Sequence, residues 1–358
     1  MIILDAHQDI AYNYQSFGRD YTLPAYKKRR AEAGTPLATR PGRPALGLPD
    51  ALLGRLALVF GTLFAMPHNR MLPNTPNPFV YRTPREAHDL ALKQLEYYER
   101  LAGESEQVRW VRSQADLDGV LASWADDAPI GERQQGIVVS MEGADPIIEP
   151  KQFEEWYQRG VRAVGMAWRR TRYTGGTGEP GPLTPDGFEL LDVLANTNTL
   201  LDLSHLSETA FYQSLERYEG PIIASHSNPR HFCNTDRHLS DDMIRALSER
   251  DGVMGVVTFN VFLHQHWRPG NNRSEVPFTR ILDVIDHVCQ VTGSAAHIGI
   301  GSDIDGGFGR ESLPLGMDTV GDLWWIGRGL RRRGYAEADI EAVLSGNFIR
   351  KLRQALPR

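Results

Sequence analysis

The chain has 358 residues, of which 41% are hydrophobic and 23% are charged, so its composition is that of a globular protein with a large core. Its formal net charge of −6 gives no support to a nucleic-acid-binding role. The two cysteines, Cys233 and Cys289, are too few for a disulfide framework or for zinc held mainly by thiolates.

Short apolar runs alternate with helical patterns along the whole chain. Several of these runs are continuous in Val, Ile, Leu and Ala, which is typical of parallel strands that are buried on both faces. A capping box begins a helix at Thr83, and Ser207 and Ser240 are candidate N-caps for the helices after the fifth and sixth strands. In chain order, the predicted strands occupy residues 2–5, 56–64, 136–141, 163–167, 200–203, 222–224, 253–259 and 297–301.

Eight strands that alternate with helices predict an α/β fold, a (β/α)8 TIM-type barrel that spans residues 1–358 as a single domain. A doubly wound open sheet is the alternative. That fold usually carries a Gly-rich phosphate loop after its first strand, whereas this first strand leads into "DAHQD". Segments 27–50, 169–187 and 262–277 are predicted to be irregular, and the last two follow strands and could wall the catalytic face.

Polar side chains follow five of the predicted strands at the point where each strand ends. Taken singly, each of them has an ordinary structural explanation, such as a cap or a turn. In a barrel, however, the carboxyl ends of all strands meet at one mouth, so residues nearly 300 positions apart are expected to converge. In chain order these residues are His7 and Asp9, Glu142, His205, His226 and Asp303.

This set of side chains predicts a metal centre. Neutral imidazole and carboxylate suit zinc or a similar divalent ion. The set exceeds the needs of one tetrahedral ion and fits two ions roughly 3.5–4 Å apart, joined by a bridging carboxylate and a bridging hydroxide. Coordination lowers the pKa of water to about 7, which produces a nucleophile at neutral pH. The chain has no Gly-x-Ser-x-Gly elbow and no Walker A loop that would indicate another chemistry.

The chain resembles the membrane dipeptidase (renal dipeptidase) family of the amidohydrolase superfamily. The motifs "SMEGAD", "LLDLSHLS", "ASHSN" and "HIGIGSDIDGG" carry the resemblance, which extends from "DAHQD" to "GNFIRKL". It implies a hydrolase with two zinc ions, in which a metal-bridging hydroxide attacks the amide bond of dipeptides, often with a D-residue at the C-terminal side. The ligands it implies are His7 and Asp9 for one ion, His205 and His226 for the other, and Glu142 as the bridge.

The resemblance also implies roles for residues around the metals. Asp303 is the acid/base residue that passes a proton to the leaving amine, and Arg237 grips the terminal carboxylate of the substrate. The family places an oxyanion-stabilising histidine after the fourth strand, where this chain has Trp168, which offers one N–H and no charge. We therefore count Trp168 with Arg237 as substrate-binding. The missing donor could come from one of three neighbours, Arg169, Arg170 or Arg172.

Two other hypotheses remain beside a binuclear zinc dipeptidase. One is a metal-dependent hydrolase of another acyl bond, in an N-acyl amino acid, a lactone or an ester, and the other is a non-catalytic, metal-stabilised barrel. We expect a small-molecule substrate, no nucleic-acid or membrane partner, and a homodimer by resemblance. The start "MIILDAHQD" has no signal-peptide pattern and the C-terminus has no hydrophobic tail, so we expect a cytoplasmic protein.

Overall fold

Eight parallel strands close into a barrel in the computed structural model, which describes residues 1–38, 42–70, 80–125 and 128–358. Each strand pairs with its neighbours in chain order, and the last also pairs with the first. The predicted TIM-type barrel is therefore confirmed. The strands are β1 (Ile3–Gln8), β2 (Leu56–Phe64), β3 (Gln135–Glu142), β4 (Val161–Gly165), β5 (Leu200–Asp202), β6 (Ile222–Ala224), β7 (Val253–Val256) and β8 (Ile298–Ile300).

Burial on both faces explains the apolar composition of the strands. Every residue of β2 and of β3 is buried, because one face fills the barrel and the other packs on helices. These two strands share the longest register, which runs from Leu58 opposite Gly136 to Phe64 opposite Glu142. This register brings Phe64 and Glu142 to the same level, at the carboxyl end of the barrel.

Helices surround the barrel, and their predicted starts are confirmed where the caps were recognised. Thr83 forms a capping box with Glu86, and the side chains of Ser207 and Ser240 accept hydrogen bonds from the first turns of their helices. The helices are α1 (Ile10–Phe17), α2 (Ala25–Glu32), α3 (Leu48–Leu53), α4 (Pro84–Glu104), α5 (Gln114–Ala122), α6 (Phe153–Gln158), α7 (Pro185–Asn196), α8 (Glu208–Arg217), α9 (Asp241–Glu249), α10 (Asn260–Leu263), α11 (Thr279–Thr292), α12 (Trp325–Arg332), α13 (Glu337–Glu341) and α14 (Asn347–Ala355).

Two of the segments predicted to be irregular contain regular structure, so that prediction was wrong for them. In the first segment, α2 covers residues 27–32 and α3 begins at Leu48, whereas residues 39–41 lie outside the described part of the chain. In the second, Thr174–Gly176 and Glu179–Leu183 form an antiparallel hairpin, in which prolines are tolerated because both strands lie outside the barrel sheet. Gly176 also forms a bridge with Leu206, which attaches this hairpin to the loop that follows β5.

Short elements complete the described part of the chain. Strand Val108–Trp110 pairs with the first half of β3, and Met66–Pro67 pairs with Val80–Tyr81. A π-helical turn, Ala342–Gly346, joins α13 to α14. Among the helices of the described residues, none combines the length and the apolarity that a bilayer span requires.

Candidate metal centre

Polar side chains from five strand ends meet at the carboxyl end of the barrel, as the sequence predicts. His7 Nε2 lies 3.6 Å from Glu142 Oε2 and 3.8 Å from Asp303 Oδ1. The Nε2 atoms of His205 and His226 lie 3.2 and 3.3 Å from Glu142 Oε1. The two carboxylate oxygens of Glu142 therefore face different histidines, which is the arrangement expected of a carboxylate shared between two cations.

Two overlapping groups of side chains have ligand atoms close enough to hold an ion. One consists of His7, Glu142 and His226, and the other of His7, Asp9 and Asp303, with all ligand atoms of a group within 4.8 Å of one another. Asp9 Oδ2 lies 4.0 Å from His7 Nε2. The structure thus brings together all six residues predicted at the strand ends, whose individual roles stay predictions.

The donor atoms fit a divalent cation. His7 Nε2 is buried and has no hydrogen-bond partner among the described residues, although buried polar nitrogens nearly always have one. The Nε2 atoms of His205 and His226 lie 3.1 Å apart and face the same carboxylate oxygen. Imidazole nitrogens and carboxylate oxygens that converge in this way are the ligand set that zinc accepts.

The charges at this site explain why it needs cations. Burial lowers the pKa of His7, but the carboxylates of Glu142, Asp9 and Asp303 outweigh burial and raise the pKa of His7 to about 10. Burial raises the pKa of Asp303 well above its ordinary value and that of Asp9 to about 6. Burial also lowers the pKa of His205 to about 4, so this ring is neutral and able to coordinate. Buried carboxylates that repel one another are stabilised when positive charge is placed between them.

Hydrogen bonds orient the histidine rings from behind. His205 Nδ1 contacts Thr177 Oγ1 at 3.0 Å, and His226 Nδ1 contacts Ser225 Oγ at 2.7 Å. Ser225 in turn donates a hydrogen bond to the carboxylate of Asp202 on β5. Metal-binding histidines typically use their second nitrogen in this way. The sequence analysis did not predict these three partners. Asp202 does carry a signal, because it is a charged residue inside the apolar strand β5.

The loop that presents Asp303 is tied to the first strand. Asp5, buried in β1, accepts hydrogen bonds from the backbone N–H of Ser302 at 2.7 Å and from Gln8 Nε2 at 2.8 Å. Asp303 and His205 have positive φ angles of 59° and 65°, which are uncommon for residues other than glycine. Unusual backbone conformations held by buried hydrogen bonds are frequent at functional sites.

A cavity of about 430 Å³ opens above the metal centre. Arg237 and Trp168 both line it, as predicted for residues that contact a substrate. Arg237 is only 5% exposed and donates a hydrogen bond to the backbone oxygen of His226 at 2.6 Å. Its Nε has no partner among the described residues, so this buried guanidinium retains donors for a ligand.

The structure distinguishes between the three arginines that follow Trp168. Arg169 lines the cavity, and its guanidinium carbon lies 5.5 Å from the centroid of the indole ring of Trp168. Arg170 and Arg172 instead donate hydrogen bonds to backbone carbonyl groups. Of the three, Arg169 is therefore the one placed to contact a bound molecule.

Comparisons with known proteins agree with the fold and point to one family. The sequence model of the membrane dipeptidase family, peptidase family M19, matches residues 1–356. An uncharacterized protein from the pqqA 5′ region of Klebsiella pneumoniae is 30% identical over 227 residues, which are 61% of this chain and 81% of that protein. Dipeptidase 3 of Rattus norvegicus is 27% identical over 284 residues, which are 75% of this chain and 53% of that protein.

A solved structure shows the same fold. It is a metallo peptidase from Rhodobacter sphaeroides, liganded with a phosphinate mimic of the dipeptide L-Ala-D-Ala, and it has a TM-score of 0.79 at 21% sequence identity. The match covers 99% of each of the two chains. Because the family model spans nearly the whole sequence, the chain belongs to the membrane dipeptidase family, peptidase family M19, and the prediction of a metal-dependent dipeptidase is confirmed.

Proposed function

We propose that the protein is a binuclear zinc dipeptidase that accepts substrates with a D-residue at the C-terminal side. The observation that carries the proposal is Glu142, whose two carboxylate oxygens face different histidines at the floor of the cavity. The ligand of the Rhodobacter sphaeroides metallo peptidase, a mimic of L-Ala-D-Ala, supports the proposed stereochemistry.

Five residues would hold the two ions. His7 and Asp9 would bind one ion, His205 and His226 the other, and Glu142 would lie between them. When bound, the zinc pair would lower the pKa of a shared water to about 7 and polarise the carbonyl group of the substrate.

Asp303 would move the proton during cleavage. It lines the cavity, and its carboxylate lies 3.8 Å from His7 Nε2, beside the residues that would hold the ions. Burial raises the pKa of this carboxyl group well above its ordinary value, so it binds a proton more readily than an exposed aspartate does. A group with these properties can take a proton and give it to the nitrogen of the leaving amine.

The test of this proposal is metal content together with substrate range. Purified protein should hold about two zinc ions per chain by elemental analysis and hydrolyse some members of a dipeptide library that includes D-residues. Zinc-loaded protein that cleaves only esters or lactones would favour a hydrolase of another acyl bond. Zinc-loaded protein that is inert to every class would favour the non-catalytic barrel.

Replacing Arg237 with alanine is expected to lower kcat/KM for dipeptides by about 10–100-fold, since a hydrogen bond to a charged group is worth roughly 1.5–3 kcal/mol. The wild-type enzyme should discriminate against dipeptide amides, which lack the terminal carboxylate, and the variant should not. Steady-state kinetics on matched acids and amides would measure this. Equal discrimination in both proteins would show that Arg237 does not bind the carboxylate.

A further inference from the structure

One wall of the cavity is formed by side chains from the last residue of β2 and from the segments that follow β1, β2 and β4. We call this set, Tyr12, Phe64, Met66 and Trp168, the acyl wall. Its rings pack edge to face, with centroid distances of 5.4 Å between Tyr12 and Phe64 and of 5.2 Å between Phe64 and Trp168. This packing creates a preformed apolar surface next to the metal centre, of the kind that binds flat or bulky groups.

A second group of cavity residues lies beside the positive charge that would bind a carboxylate. It consists of Phe259, Phe262 and Phe308, from the segments after β7 and β8. The guanidinium carbon of Arg237 lies 5.4 Å from the ring centroid of Phe262, which places Arg237 beside this group. If Arg237 holds the substrate's carboxylate here, the acyl part lies on the other side of the scissile amide, and the acyl wall is the apolar surface left to contact it.

The charges around the cavity do not suit the free ammonium group of a dipeptide. Among the described residues, the carboxylates that line the cavity are Asp9, Glu142 and Asp303, and the proposed function already assigns all three. Arg169 adds a positive charge beside Trp168. An ammonium group bound in this cavity would lose its hydration without gaining a dedicated partner, which is unfavourable.

We infer that this site also hydrolyses N-acyl amino acids with a bulky apolar acyl group, and hydrolyses them faster than dipeptides of the same shape. The inference rests on the proposed function, because it uses the same metal centre and the same Arg237. Water is added across the amide bond, so that hydroxyl joins the acyl carbon and hydrogen joins the nitrogen. The products are an apolar carboxylic acid and a free amino acid.

The test is a pair of substrates that differ only in the ammonium group. Hydrocinnamoyl-alanine is phenylalanyl-alanine without its α-amino group, and both are assayed with the D- or L-alanine that the zinc-loaded enzyme prefers. We expect kcat/KM to be about tenfold higher for the hydrocinnamoyl compound, the size of effect produced by one poorly matched polar group. As a binding readout, hydrocinnamate should raise the Tm of the zinc-loaded protein more than phenylalanine does.

Two variants and one control connect the preference to the named residues. Arg169→Glu should shift the ratio of the two kcat/KM values by about tenfold toward the dipeptide, because the new carboxylate pairs with the ammonium group. Trp168→Ala should reduce hydrolysis of hydrocinnamoyl-alanine more than that of acetyl-alanine. Arg170→Ala removes an arginine that donates a hydrogen bond to a backbone oxygen. It should change neither the ratio of hydrocinnamoyl-alanine to dipeptide hydrolysis nor the ratio of hydrocinnamoyl-alanine to acetyl-alanine hydrolysis.

The outcomes separate this inference from the proposed function. Faster hydrolysis of hydrocinnamoyl-alanine, with the preference abolished in Arg169→Glu, supports the inference. Hydrolysis of the dipeptide at an equal or higher rate overturns the inference and leaves the dipeptidase proposal intact. Hydrolysis of the N-acyl compound without hydrolysis of any dipeptide supports the inference and overturns the proposed substrate class. A zinc-loaded protein that cleaves neither overturns both.

Discussion

Replacing Asp303 with asparagine is expected to lower kcat by about 10²–10⁴-fold, the range of contributions made by a general acid–base residue. The zinc content should change little, because the nearest metal-binding side chains keep their own contacts with Glu142. Asparagine has the same shape as aspartate but cannot carry the transferred proton. Steady-state kinetics combined with elemental analysis of the same preparation would measure both quantities.

Asp305→Asn is the matched control for this variant. The same replacement of aspartate by asparagine can be made at Asp305, two residues from Asp303. The carboxylate of Asp305 accepts hydrogen bonds from the backbone N–H groups of Ala45 and Leu46, at 2.9 to 3.0 Å. The control should lose stability, by about 1–3 kcal/mol, and keep its kcat. If Asp303→Asn loses zinc together with activity, Asp303 is a metal ligand, which its grouping with His7 and Asp9 allows.

The barrel and its centre could be predicted because polar residues interrupt apolar strands at equivalent positions. His205 and His226 each follow a short buried strand, and the geometry of a barrel brings such strand ends together whatever their distance in sequence. Asp303 was found in the same way, after β8. The apolar runs therefore predict the fold, and the polar residues that interrupt them predict which side chains lie at the mouth of the barrel.

The surroundings of the centre could not be predicted, because they depend on contacts between loops. Thr177 reaches His205 only through a hairpin whose glycines and prolines resemble an irregular loop. Tyr12 and Phe64 line the cavity, yet an aromatic residue in an apolar run has the same pattern as a core residue. A buried charge such as Asp5 does carry a signal, since a carboxylate inside a strand needs partners.

Replacing Glu142 with glutamine is expected to have the largest effect on metal binding. The wild-type carboxylate faces three histidines. Burial raises the pKa of Glu142, but the charge of His7 and the hydrogen bonds of His205, His226 and His7 outweigh burial and hold this pKa well below its ordinary value. An amide cannot offer anionic oxygen to two cations, so zinc content should fall from about two ions to about one or fewer. Activity should fall together with zinc content. The loss should exceed the roughly 10–100-fold that follows when a residue hydrogen-bonded to a metal ligand is removed.

Ser225→Ala is the comparison variant, in which we expect a smaller loss of zinc binding. Ser225 contacts His226 Nδ1 at 2.7 Å but is not itself one of the proposed metal ligands. Its zinc affinity should fall by about 10–100-fold, so that saturating zinc restores activity, whereas no zinc concentration should restore Glu142→Gln. The rise in Tm on adding zinc reports the same difference, since a ligand stabilises by about 2.7 kcal/mol at 100 times its Kd. A Glu142→Gln protein that still binds two ions and cleaves dipeptides would show that this carboxylate does not join the two metal positions.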